Sequence, residues 1–181
     1  MSNFYYADNI LSLDEVKYCY NVLLNHKWNI KSFYQQEGID NSDLAYPNMM
    51  AYKDGTVYDP YLFGLMSGIL FSVNKRIQEK YNFTLPTHKI KTVQFNAQGK
   101  SDDCSFHSDG THNQWSVVGF LTPQWHKEWG GDLQIEDETV TYKPGDFVVF
   151  KSSHLHDALP VKVKTPFWRI TTAIFLDALT N

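Results

Sequence analysis

The hydrophobic period of this chain changes at Pro86, and that change limits the fold more than any other feature of the sequence. Before it, apolar residues recur every three or four positions, the spacing of one buried helix face. After it, short β-rich runs follow one another with turn residues between them. Ser12 and Glu15 form a capping-box signal at Leu13, Val16, Tyr20, Leu23 and Leu24, which predicts a helix over about 13–26. Asp59 and Pro60 supply a cap and a proline at the first helical position. Leu62, Phe63, Met66, Ile69, Leu70, Val73, Ile77 and Tyr81 then predict a second helix of about 20 residues. Between the helices, Trp28 to Asp59 is polar and aromatic without clear period and reads as a long excursion with room for a strand. Its 29–58 stretch carries Tyr34, Tyr46, Asn48, Tyr52 and Asp54, and is expected to be either a substrate lid or a scaffold loop packed on the barrel.

The β-rich runs fall at about 89–97, 103–108, 115–122, 131–136, 139–143, 146–151, 156–163 and 167–177. Gly99, Gly110, Trp129-Gly130-Gly131 and Lys143-Pro144-Gly145-Asp146 break them, residues that turns require. About eight short strands behind two helices predict a mainly β fold with N-terminal helices: a double-stranded β-helix, or jelly roll, with the helices on one outer face. A length of 181 residues supports one core, so the expectation is a single domain over 1–181, with 1–88 as helical support and lid excursion and 89–177 as the jelly-roll core.

Twenty acidic residues against sixteen basic ones, with no block of Lys and Arg, exclude an electrostatic nucleic-acid or anionic-membrane partner. The start of the chain lacks a basic region followed by an apolar one, and no apolar run reaches membrane-spanning length. A soluble, cytoplasmic protein is expected. Cys19 and Cys104 match no paired metal or redox spacing and read as free thiols.

The chemistry concentrates at His107-Ser108-Asp109. Two ligand-type side chains two residues apart in an extended segment point to the same side, with Cys104 and Phe106 on the other. A second histidine would complete a two-histidine, one-carboxylate set that leaves three positions of an iron ion open. His26 ends a helix, His88 and His126 sit in loops, and His112 lies in a turn where a surface or supporting role is expected. His154 and His156 share parity at the start of the seventh run, and spacing does not choose between them.

The wider sequence resembles a known family. His107-Ser108-Asp109, Trp115 to Leu121, Trp129-Gly130-Gly131-Asp132-Leu133, Lys143 to Phe150, His156-Asp157-Ala158-Leu159-Pro160-Val161 and Arg169 occur in an order similar to that of the 2-oxoglutarate/iron(II) dioxygenases, prolyl-4-hydroxylase-like branch. In that branch the distal ligand is the histidine four residues before a Pro-Val pair, which implies His156. The match spans about residues 90–177. It departs from the family at Asn96, three residues before Gly99, where a tyrosine is usual.

The resemblance implies Fe(II) held by His107, Asp109 and His156, with 2-oxoglutarate as co-substrate, dioxygen as oxidant and ascorbate as a further reductant. It implies that Arg169, thirteen residues after His156, binds the distal carboxylate of 2-oxoglutarate. A planar guanidinium suits that task because it grips a carboxylate with two hydrogen bonds. Thr171 shares the parity of Arg169 and is expected beside it, with Asn96 in the tyrosine's place. Trp125 and Trp129 are candidates for the mouth of the site. The implied reaction is hydroxylation of a C–H bond coupled to decarboxylation of 2-oxoglutarate to succinate. Peptidyl proline is the first substrate expected, with a free amino acid or small metabolite as the alternative, and a non-catalytic metal- or ligand-binding jelly roll as the rival class. The alkylation-repair branch usually adds a second arginine six residues after the first, where this chain has Phe175.

Overall fold

Both helices form from the signals that predict them. α1 (Leu13–Leu24) starts at Ser12, whose hydroxyl accepts from the Glu15 N–H while the Glu15 carboxylate accepts from the Ser12 N–H. α2 (Pro60–Tyr81) starts at Asp59, whose Oδ1 accepts from the Leu62 N–H at 2.9 Å. It ends at Asn82, left-handed at φ 52°. Leu62, Met66, Ile69, Leu70, Val73 and Ile77 are its buried stripe. The computed structural model describes residues 3–32, 45–100 and 105–179.

The strands are β1 (Phe4–Ala7), β2 (Asn29–Ser32), β3 (Ala45–Lys53), β4 (Thr56–Val57), β5 (His88–Gln98), β6 (Gln114–Phe120), β7 (Leu133–Ile135), β8 (Glu138–Val140), β9 (Phe147–Lys151), β10 (His156–Ala158) and β11 (Arg169–Ala178). The larger sheet runs β1-β9-β6-β11-β5-β3-β2 with β4 beside β3, and the smaller runs β10-β7-β8. All pairings within the named strands are antiparallel.

Alternation along the strands splits the interior into two layers. Val93, Phe95, Ala97, Val117, Phe147, Val149, Ile170, Ile174 and Leu176 pack with both helices. Val118, Phe120, Val148 and Phe150 face the smaller sheet through Leu133, Ile135, Val140 and Tyr142. The fold is therefore the jelly roll, with helices on the outer face of its larger sheet. On the inner face, β5 and β11 turn polar: Asn96, Gln98, Arg169 and Thr171 replace the apolar residues found on their outer face.

Several expectations need correction. The 103–108 strand does not form in its described part: residues 105–108 contribute an isolated bridge at His107, while 101–104, including Cys104, lie outside the described residues. The chain after His107 instead turns, and Asp109 and Gly110 both donate their N–H to the Ser152 carbonyl. The 156–163 run shortens to β10, because Pro160 cannot donate to a ladder. The 29–58 excursion contains β2, β3 and β4, which extend the larger sheet, so its described part is scaffold; Tyr34 lies outside the described residues. β1, which pairs with β9, was not expected, and His88 opens β5 rather than sitting in a loop. Cys19 is a buried free thiol.

Candidate metal centre

The backbone itself brings two histidines together. His107 and His156 form an antiparallel bridge in which each N–H donates to the other's carbonyl, at 3.0 and 2.9 Å. Their rings lie 4.4 Å apart, and the Phe150 and His156 rings pack edge to face. Asp109 is fixed from the other side by its N–H bond to Ser152. One ligand-type atom from each of His107, Asp109 and His156 lies within 4.8 Å of the others. His156 Nε2 is 3.2 Å from Asp109 Oδ2, and His107 Nε2 is 3.8 Å from Asp109 Oδ1.

The remaining atoms of these side chains are tied down. His107 Nδ1 lies 2.8 Å from the Ser105 carbonyl, and His156 Nδ1 lies 3.1 Å from the His154 carbonyl. A carbonyl can only accept, so each Nδ1 carries the hydrogen and a neutral ring presents its Nε2 lone pair to the carboxylate. Ser116 Oγ donates to Asp109 Oδ2 at 2.9 Å, which makes the buried Ser152 hydroxyl the donor to Ser116, also at 2.9 Å. Two lone pairs facing a carboxylate repel unless a cation lies among them. Burial, and then His156, pushes the His107 pKa down. Burial is also the largest influence on His156 and lowers its pKa, but the hydrogen bond and charge of Asp109 outweigh it and the net direction is up. The cluster thus favours one shared positive charge, and two neutral imidazoles with a carboxylate are a donor set suited to a divalent transition metal.

The other histidines of the sequence lie outside this cluster. His154 faces Glu136, His26 pairs with Asp59 at 2.9 Å, His112 meets Ser153, and His126 lies against Trp129.

Arg169 is 1% exposed at the start of β11, directly across from Gln98 of β5. Its Nε donates to the Gly131 carbonyl at 2.6 Å, its Nη1 donates to Gln98 Oε1, and its guanidinium lies 5.1 Å from the Tyr142 ring centre. Tyr142 is anchored by its hydroxyl to the Ile170 carbonyl and Thr122, and burial pushes its pKa up to about 12. Gln98 also reaches toward β10, with Nε2 3.5 Å from the Ala158 carbonyl. Thr171 is buried on the same face of β11 as Arg169 and is paired across the sheet with Asn96. Asn48 Nδ2 donates to Asn96 Oδ1 at 2.6 Å. Trp125 stands beside Gly131 and contacts Tyr142 and Trp129.

Gln98, Tyr142, Ser116 and Ser152 are site residues that sequence reading missed. A signal existed for two of them. Gln98 continues the parity of Asn96, and Ser116 is a lone hydroxyl inside the otherwise apolar Trp115-to-Phe120 strand.

Residues 93–177 match the family model of the 2OG-Fe(II) oxygenase superfamily. No curated protein matches the chain by sequence. Among solved structures, a Pseudomonas putida prolyl-4-hydroxylase is similar at 18% identity and a TM-score of 0.65, covering 98% of this chain and 94% of that one. A Trichoplax adhaerens prolyl hydroxylase, in complex with a hypoxia-inducible-factor oxygen-degradation-domain peptide, is similar at 15% identity and a TM-score of 0.62, with coverage of 97% and 83%. The α-ketoglutarate-dependent carbocyclase SnoK from nogalamycin biosynthesis is similar at 13% and 0.66, with coverage of 97% and 79%. At such identities the likeness is one of fold. The family matched over the β-core is one of oxygenases that require Fe(II) and 2-oxoglutarate. Among the described residues, no helix is long and apolar enough to cross a membrane.

Proposed function

We propose that this chain, a 2OG-Fe(II) oxygenase across residues 93–177, hydroxylates a C–H bond with iron held by His107, Asp109 and His156 and 2-oxoglutarate held by Arg169. The observation that carries the reading is the convergence of two Nε2 lone pairs on one carboxylate, with both Nδ1 atoms held by backbone carbonyls and Asp109 Oδ2 also accepting from Ser116. When bound, iron with 2-oxoglutarate supplies the oxidising chemistry, releasing succinate and carbon dioxide. The protein's part is to position. The Ser105 and His154 carbonyls set both ring tautomers, and the Ser152–Ser116 hydroxyl pair keeps Asp109 oriented. Arg169, steadied by Gly131, Gln98 and Tyr142, offers a buried cation to the distal carboxylate of 2-oxoglutarate, with Thr171 and Asn96 on the adjoining wall. Dioxygen is the oxidant, and ascorbate would serve to restore iron(II) after uncoupled turnovers.

Peptidyl proline is the first substrate class. Its support is the fold shared with two prolyl hydroxylases, one of them holding a peptide, together with half-exposed Phe106 and Leu155, each next to a ligand histidine in sequence. The exposed ring of Phe106 offers a flat apolar surface that suits proline rings. The amide-lined inner wall of Asn48, Asn96 and Gln98 favours the second reading, a free amino acid or small polar metabolite. A proline-rich peptide should raise 2-oxoglutarate turnover above the uncoupled rate and gain one oxygen on proline. The same peptide with each proline changed to alanine is the control. Equal stimulation by both peptides, or oxygenation of a metabolite instead, removes the peptidyl-proline reading.

A further inference from the structure

We propose that Glu136 is a positioning residue for the iron site, latching the 154–155 segment so that His154 holds the His156 imidazole in its metal-binding orientation. The proposal rests on the assignment of His156 as an iron ligand. Glu136 occupies the turn between β7 and β8 with φ 52°, a left-handed conformation that glycine and asparagine adopt readily and glutamate does not. Such a conformation at a non-glycine residue persists where the surrounding structure holds it in place. Here the side chain has a defined task. Glu136 Oε1 accepts from the Leu155 N–H at 2.9 Å and lies 3.2 Å from His154 Nδ1, while the Glu136 N–H donates to the Leu155 carbonyl at 2.8 Å. The next link is the His154 carbonyl, which receives His156 Nδ1–H. Residues 152–155 belong to no strand, so the latch and the His154 N–H bond to Lys151 define how that carbonyl points. The carboxylate therefore acts on the metal through a backbone carbonyl two residues from the ligand, without touching the metal.

The test separates this role from hairpin stability. Glu136→Gly removes the carboxylate and relieves the left-handed residue, while leaving the backbone N–H bond to Leu155 in place. Glu136→Asn does likewise with a side chain too short to reach, and serves if the glycine variant does not fold. Iron(II) affinity is measured anaerobically, together with the visible charge-transfer band of the iron–2-oxoglutarate complex and the melting temperature of the metal-free protein. The expected result is a metal-free melting temperature equal to or above wild type, a loss of iron affinity of about 10- to 100-fold, and a shifted band. Glu136→Gln keeps the acceptor oxygen and should restore affinity and band. Wild-type affinity and band in the glycine or asparagine variant overturns the proposal. So does an affinity loss that merely tracks a fall in metal-free melting temperature, or a glutamine variant as impaired as the glycine one. His156→Ala is the control: retained iron binding there means that the ligand assignment has failed, whereas lost binding there with an unaffected Glu136→Gly means that the latch has failed.

Discussion

Arg169 keeps its place only because position 131 has no side chain. A Cβ at Gly131 would lie 2.8 Å from Arg169 Cδ and 3.0 Å from Nε, at a backbone φ of +77° that L-residues avoid. Replacing Arg169 with Ala should therefore raise the 2-oxoglutarate requirement roughly 30-fold to several thousand-fold, the equivalent of about 2 to 5 kcal/mol for a lost buried charged hydrogen bond, with iron binding nearly intact. An unchanged 2-oxoglutarate dependence, read from initial rates, would take Arg169 out of the site. Gly131→Ala should move the same quantity in the same direction by displacing the guanidinium. The arginine is legible in sequence because a lone cation flanked by Trp168 and Ile170 stands out in an apolar strand. The parity of Gln98 with Asn96 marks its face, but its partnership with Arg169 is not legible, because that depends on the register between two strands 71 residues apart. The choice between His154 and His156 follows the same logic. The structure separates them by a backbone bridge that only His156 makes with His107, and no periodicity encodes that bridge. His156→Ala should abolish iron-dependent succinate formation, whereas His154→Ala should leave most of it. The reverse outcome would reassign the ligand.

Helices and central strands are legible because their signals are local: a capping box, an Asp-Pro start, the continuous apolar run of β9. β1 is not, since Phe4–Ala7 is short and becomes a strand by pairing with Phe147–Phe150 far along the chain. Its exit is pinned by Asp8, whose carboxylate bonds Arg76 and Lys80 of α2 at 2.9 and 3.0 Å. Arg76, then Lys80, hold the Asp8 carboxyl well below the usual carboxylate range. A depressed folded-state value means stability that is present above the ordinary pKa of 3.8 and disappears as pH falls through the lowered one. Asp8→Asn should thus be less stable than wild type at neutral pH, and the gap should close as the solution is acidified below about pH 4. A gap of constant size from pH 7 to pH 2, followed by denaturant melts, would deny this pair any electrostatic role. Deeper in the same helix, Met66 is 1% exposed, and Met66→Ala should cost about 2 to 5 kcal/mol in urea unfolding through loss of burial and the cavity left behind.

At the scale of the molecule, the candidate ligands join two sheets that also meet through apolar packing and through hydrogen bonds such as Tyr142 to the Ile170 carbonyl and Gln98 to the Ala158 carbonyl. His156 belongs to β10 of the smaller sheet, while Asp109 is tied through Ser116 to β6 of the larger one. A divalent ion held by both would link the two layers. Ligand binding to the native state alone adds about 2.7 kcal/mol at a hundredfold excess over Kd. For a domain of this size that corresponds to a rise of roughly 5 to 10 °C in melting temperature. Anaerobic iron(II) should therefore raise the melting temperature by about that amount, and a chelator should reverse it. His156→Ala should melt at the same temperature with and without iron. Hydrogen exchange should localise the gain to residues near 105–110 and 152–158, leaving α1 and α2 unchanged. Protection spread evenly over the helices, or a melting temperature that rises with iron in the His156 variant, would mean that the metal binds elsewhere and that the clasp between the sheets is not made by these three residues.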